Sequence, residues 1–231
     1  MPQEAGRFAI WGPDHLAVLA ALAAASAALL LGRRRLVGRR EAWVRRAVAV
    51  ALLGNELVSW LGAAWQGAVR VPLQLCDLAL ALTVWALWSL RPGASELAYF
   101  WGLAGSLQAV LTPDLQQRFP DYWWVKFFVT HGGIVLGAVY LAVSGRVAPT
   151  HRSVWRVWAL TNGYACAAGL INWAFGTNYG YLARKPSQPS LLDAFGPWPW
   201  YILAMEAASL ASCYLCYAPF AMARRMHGRA A

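Results

Sequence analysis

Apolar runs near or above the roughly 18-residue length that reads as a membrane-spanning helix recur from one end of this chain to the other. Seven can be drawn, at about 14–31, 46–67, 72–90, 96–112, 123–144, 154–175 and 198–221. No other feature limits the possible folds as much. Composition agrees: the chain is 59% hydrophobic and 13% charged, where a soluble domain carries about 25% charged residues. The expectation is an all-α fold, a polytopic membrane bundle of about seven transmembrane helices. It forms a single transmembrane helical domain over 1–231, with no room for a separate soluble one. The first run is read as a retained helix rather than a signal peptide. Asp14 and His15 precede it, and Arg33-Arg34-Arg35 stop it.

The formal net charge of +10 does not point to nucleic acid. The arginines cluster between apolar runs, where membrane topology needs them, and do not line an aromatic groove. Fourteen Lys and Arg fall on one side of the seven spans and six on the other, Arg7, Arg70, Arg118, Lys126, Arg184 and Lys185. The positive-inside rule then places the N-terminus outside and the C-terminus in the cytoplasm. All four cysteines lie inside expected spans, which argues against an extracellular disulfide framework. Cys213 and Cys216 form a CxxC in a membrane helix, and read as small packing residues.

Polar groups at membrane depth are costly, so each is a candidate for function. Pro72-Leu73-Gln74-Leu75-Cys76-Asp77 brings a carboxamide, a thiol and a carboxylate into the start of the third span. Cys76 lies about one turn in, and His131 about two turns into the fifth span from the same side. His15, Asn172 and the pair Gln108 and Thr112, which share a face at i,i+4 spacing, belong to the same outer layer. Glu56 and Glu206 sit deeper, near the middle of the second and seventh spans. In the fourth span Gly102 and Gly105 permit close helix contact, and Gly133-x-x-x-Gly137 is a helix-contact motif. The connection from Gly176 to Pro197 is the longest. Its prolines forbid a continuous helix, and Tyr179, Tyr181, Trp198 and Trp200 favour a packed lid at the interface.

These residues carry a family resemblance over nearly the whole chain. The chain resembles the YwaF-like integral membrane proteins of bacteria and is similar, more distantly, to the eukaryotic transmembrane-protein-164 ether-phospholipid acyltransferases. The marks are Pro72–Asp77, Glu96-Leu97-Ala98-Tyr99-Phe100-Trp101-Gly102 and Leu111-Thr112-Pro113-Asp114-Leu115. His131-Gly132, Ile171-Asn172-Trp173 leading into Gly176-Thr177-Asn178-Tyr179, and Pro197-Trp198-Pro199-Trp200-Tyr201 complete them. The resemblance implies lipid acyl chemistry through a cysteine acyl-enzyme with a histidine partner, and Cys76 and His131 match those positions. It implies a phospholipid or lysophospholipid substrate, no cofactor, and a place in the bacterial cytoplasmic membrane. A wider fold similarity reaches membrane hydrolases of fatty acid esters of hydroxy fatty acids, which use threonine with histidine. One departure is Gln74, where many relatives carry histidine.

Acyl transfer needs a nucleophile, a base and a group to hold the oxyanion. A thiol buried in apolar surroundings is inert until a neighbouring imidazole takes its proton. Cys76 is therefore read as nucleophile and His131 as base. Asn172 or Gln74 is the candidate oxyanion donor, and Glu56 or Glu206 could orient the histidine. Asp77 points about 100° away around the helix and is a poorer orienter. Each residue also has a plain structural reading. A lone membrane cysteine is commonly a packing residue, a lone helical histidine a satisfied core group, and Glu56 and Glu206 bonded groups within the bundle. His15 either caps the first helix or lines the site entrance, and His151 and His227 are bystanders. Arg184 and Lys185 either hold a lipid phosphate or anchor the interface. Four scattered histidines make no evident metal site. The competing functions are a non-catalytic lipid or ligand sensor and a small-molecule or proton transporter. No inverted repeat is visible for the latter. Only the enzyme requires the sulfur of Cys76.

Overall fold

The computed structural model describes residues 8–186 and 190–228. Arg7 and Arg229 of the charge asymmetry, residues 187–189 of the long connection and the side chain of His227 lie outside the described residues. The helices are α1 (Pro13–Leu31), α2 (Gly38–Trp65), α3 (Leu75–Ser89) and α4 (Pro92–Phe100). A π-helical stretch, Trp101–Ser106, continues α4 into α5 (Leu107–Leu111). Then follow α6 (Tyr122–Val143), α7 (His151–Phe175) and α8 (Trp200–Gly228). Taking 92–111 as one run, all seven expected spans are helical, and the described elements include no strand.

Hydropathy located the helices better than it located their ends. α2 begins at Gly38, eight residues before the apolar run drawn from 46, because arginine is a good helix former outside the membrane as well as in it. α3 begins at Leu75 rather than at 72, since Pro72 and the extended Gln74 precede the first turn. Four helices are long and apolar enough to cross a membrane, Pro13–Leu31, Gly38–Trp65, Tyr122–Val143 and Trp200–Met226. α3 has 15 residues, about 22 Å of helix against a hydrocarbon core of about 30 Å. α7 has 25 residues but carries Arg152, Arg156, Thr161, Asn162 and Asn172.

The packing is inverted relative to a soluble bundle. On α2 the buried positions are Arg45, Ala49, Leu52, Glu56 and Ser59, a stripe repeating every three to four residues. The opposite face exposes Val44, Val48, Leu53, Leu57, Leu61 and Trp65. Polar and small residues face inward and large apolar ones outward, which is what lipid as solvent selects. α3 packs on α2, α4 and α6, so it lies at the centre. α1 is peripheral: it packs on α6 and buries only His15.

Glycines set the closest approaches. A Cβ on Gly137 would stand 2.7 Å from Thr83 Cγ2 on α3, and one on Gly133 would collide with Leu52 of α2. The Gly133-x-x-x-Gly137 motif thus presses α6 against two neighbours at once. A Cβ on Gly102 would stand 2.7 Å from Ala138 Cβ, whereas Gly105 has open space around it. The π-helical turn carries Gly102 into that contact.

Candidate functional site

The site begins with how α3 starts. Gln74 is extended at ψ 148°, and its backbone N–H donates to Asp77 Oδ2 at 3.0 Å. Asp77 therefore caps the helix. The helix opens at Leu75, which makes Cys76 its second residue. Cys76 is not one turn inside the helix, as the apolar run implied, but among the first-turn N–H groups that lack intrahelical acceptors. This is the positive end of the helix, where anionic groups are stabilised. The thiol is half-buried and unpaired.

His131, on α6, is 7% exposed. Its Nδ1–H donates to the carbonyl of Phe127 one turn back, at 2.9 Å. A carbonyl can only accept, so Nδ1 carries the proton. In the neutral ring Nε2 is left with a free lone pair. The ring also lies on Phe127, 4.1 Å between centroids. No hydrogen bond joins Cys76 to His131 among the described contacts.

An ion pair that sequence reasoning overlooked joins α2 to α6, the helix that carries His131. Lys126 Nζ is 2.8 Å from Glu56 Oε2, with side chains 10% and 8% exposed. Neither Glu56 oxygen has a hydrogen bond in good geometry. Asn55 braces the same stretch of α6, donating to Thr130 Oγ1 at 2.9 Å. Lys126 had been counted as an outer-side charge. Its position inside Tyr122-Trp123-Trp124-Val125-Lys126-Phe127-Phe128 was the missed signal, because a cation in an apolar run seeks a buried partner. Glu206 lies apart, accepting from Asn162 Nδ2 at 2.9 Å between α7 and α8.

The connection after α7 folds down onto this end of the bundle. Asn172 Oδ1 accepts from Tyr179 N–H at 2.7 Å and from the Thr177 hydroxyl at 2.8 Å. Its Nδ2 donates to Tyr179 O at 2.9 Å. Gln74 Oε1 accepts from Gly180 N–H at 2.9 Å, and the Tyr164 hydroxyl donates to Leu73 O at 2.9 Å. Gly180 has φ 65°, and a Cβ there would stand 3.2 Å from the Tyr164 hydroxyl. Asn172 thus holds the lid through both of its amide atoms, and Gln74 through its oxygen. Tyr181 donates to Asp114 Oδ2 at 2.8 Å. Burial and that carboxylate hold its phenol above the ordinary tyrosine range. Tyr201 then donates to Tyr181 O at 2.5 Å.

The remaining candidates fall around the rim. Trp11 N–H donates to His15 Nδ1 at 3.1 Å, so His15 Nε2–H donates to Val110 O at 2.8 Å. Both ring nitrogens are occupied, and His15 clamps α1 to the end of α5. Gln108 Nε2 donates to Thr112 Oγ1 at 3.1 Å on the face they share. Arg184 enters through its backbone, whose N–H and carbonyl meet the Asn178 side chain. Lys185 lies 3.8 Å from Asp193 and 5.7 Å from the Tyr201 ring centroid, an anchoring contact.

A bundle with apolar outer faces and a buried layer of ionisable groups defines a multi-pass helical membrane protein. The chain belongs to the TMEM164 family, whose model matches residues 10–217 and so spans Cys76, Lys126, His131 and Asn172. No curated protein and no solved structure matches it.

Proposed function

We propose that this protein is a membrane-embedded lipid acyltransferase, a phospholipid transacylase or lipid-ester hydrolase, acting through an acyl-enzyme on Cys76 with His131 as base. The observation that carries the reading is the tautomer of His131. Its Nδ1–H is held by the Phe127 carbonyl, so the nitrogen left over is the one that can accept a proton. The place of Cys76 in the first turn of α3, at the positive end of the helix, is the second support. Family membership and the membrane bundle agree with a lipid substrate.

The chemistry balances without a cofactor. Cys76 gives its proton to His131 Nε2 and its sulfur adds to an ester carbonyl. The C–O ester bond breaks, the proton passes to the leaving alkoxide, and a thioester remains. A second lipid hydroxyl, or water, then attacks the thioester while Nε2 takes its proton. The S–C bond breaks and the thiol is restored. On the positive-inside rule the lid faces outward.

The test is intact-protein mass spectrometry after incubating purified protein with mixed phospholipids. An acyl-sized adduct mapped to Cys76 is expected, absent in Cys76→Ala and weaker in His131→Ala. A clean mass with unchanged lipids overturns the reading.

A further inference from the structure

Contacts between helices set the depth of the groups around Cys76. α3 and α6 are separated by the single reversed run α4–α5, so they cross the bundle in one direction and α2 in the other. A Cβ on Gly137 of α6 would touch Thr83 of α3. Two turns earlier on those same faces stand Cys76 and Thr130. Cys76 is therefore level with Thr130, the neighbour of His131. Asn55 of α2 bonds Thr130 at 2.9 Å and marks the same level. Ser59 follows Asn55 by one turn, about 6 Å nearer the end of the bundle that carries the lid. At that level stands a cation without a carboxylate. Ser59 is 1% exposed, and its Oγ accepts from Arg70 Nη1 at 2.5 Å. The exposed Arg70 guanidinium also lies 5.9 Å from the centroid of the Trp123 ring on α6. Other cations at this end have acidic partners: Lys126 has Glu56 at 2.8 Å, Arg118 has Asp14 at 3.5 Å and Lys185 has Asp193 at 3.8 Å. Among the described ion pairs Arg70 has none. Arg184 shares that lack, but only its backbone is held. Arg70 is thus fixed by a buried hydroxyl and an indole, while its Nε and Nη2 have no partner among the described contacts.

We propose that Arg70 binds the phosphate of a phospholipid whose ester is presented to Cys76. This rests on the acyl-enzyme reading above. A guanidinium donates through a planar fork, and phosphate oxygens accept in that geometry. Ser59 occupies Nη1, which leaves the Nε and Nη2 edge for the anion. In a glycerophospholipid the glycerol sets the phosphate a few ångströms from the neighbouring ester. That spacing suits the one-turn step between Ser59 and the level of Cys76. Trp123 and the exposed guanidinium fit a headgroup at the interface, where amphipathic rings gather. A neutral ester such as a diacylglycerol offers Arg70 no anion, so Arg70 sets a preference for phospholipid. Ser59 is a positioning residue, acting through Arg70.

Binding is measured apart from acyl transfer, in full-length Cys76→Ala protein. Native mass spectrometry reads the lipid retained from micelles that hold dioleoylphosphatidylcholine and dioleoylglycerol in equal amounts. The phospholipid is expected to be retained in preference. Adding Arg70→Gln is expected to lower the ratio of phospholipid to diacylglycerol roughly tenfold to a hundredfold, the loss of one hydrogen bond between charged groups. Arg118→Gln removes a paired charge from the same end and is expected to leave the ratio unchanged. An unchanged ratio in Arg70→Gln, or an equal fall in Arg118→Gln, overturns the proposal. Ser59→Ala is measured beside them in case Arg70→Gln misfolds. It frees the guanidinium but keeps its charge, so a smaller fall in the ratio is expected, and an unchanged ratio overturns the proposal. Inorganic phosphate in excess is expected to leave the lipid bound. Displacement by it would make this a site for free phosphate and overturn the lipid assignment. Wild-type protein that retains phospholipid through Arg70 but is never acylated at Cys76 overturns the acyl-enzyme reading and leaves the lipid site standing, so the two failures are distinct.

Discussion

Two buried cations stand at opposite ends of α2 and are treated differently. Near its start, Arg45 bonds Glu41 through Nε at 3.0 Å, and its Nη1 bonds the carbonyls of Leu87 and, at 3.2 Å, Trp88. Those are last-turn carbonyls of α3, which lack intrahelical donors. Glu41 in turn accepts from the Tyr140 hydroxyl. The cluster ties α2, α3 and α6 together and leaves its carboxylate bonded. Near the other end, Lys126 and Glu56 make an ion pair without a well-formed hydrogen bond. Both pairs cost desolvation, but only the first recovers it through a saturated network. A fully satisfied buried charge is a structural clamp. The Lys126–Glu56 pair is incompletely satisfied, since neither Glu56 oxygen has a hydrogen bond in good geometry.

Removing each cation tests that contrast. Arg45→Met leaves Glu41 buried without its cation and α3 without its terminal donor. It is expected to destabilise the protein by about 3–5 kcal/mol, measured by unfolding in detergent. Gly137→Val drives a side chain into Thr83, where α3 and α6 touch between the two clusters. A loss of about 1–3 kcal/mol is expected. An unchanged midpoint would mean that the α3–α6 spacing is not what holds the clusters apart. Asn172→Ala removes the three bonds that fold residues 177–179 onto α7, at about 1 kcal/mol each at most. Hydrogen exchange should rise in that segment while the stability of the Arg45 end stays constant. Uniform loss of protection along the chain would show that lid and bundle unfold together. The smallest effect is expected for Glu56→Leu/Lys126→Met, whose stability should stay within about 1 kcal/mol of wild type. A loss as large as that of Arg45→Met would make the Lys126 pair a second clamp and erase the comparison.

Much of the fold was legible in order along the chain. Apolar runs marked all seven helical stretches, and Gly133 and Gly137 were read correctly as contact positions. The ends of α2 and α3 were not legible, because hydropathy records where lipid begins and a helix stops at its caps. The cap of α3 is Asp77 reaching back to Gln74, a local bond whose consequence is large. It moves Cys76 from the body of the helix to its second residue. At the candidate site, Cys76 and His131 stood out as reactive side chains at shared depth. Lys126 did not, since a charge count assigns sidedness and is blind to burial. Gln74 and Asn172 looked like donors in search of an anion, and their partners are the Gly180 N–H, the Tyr179 backbone and the Thr177 hydroxyl of a loop that the sequence left without a path.

The sequence by itself determined that the chain is helical and built for lipid, because the length and frequency of its apolar runs match membrane spans. It also determined which side chains could carry chemistry, because few reactive groups lie at membrane depth. Only the tertiary structure decided which nitrogen of His131 is free, that Lys126 pairs with Glu56, and which amide atoms hold the lid. The Lys126–Glu56 pair and the Gln74–Gly180 bond join groups far apart in the chain, while the His131 and Asn172 bonds are short in sequence but depend on side-chain rotamers and a loop path that spacing does not specify.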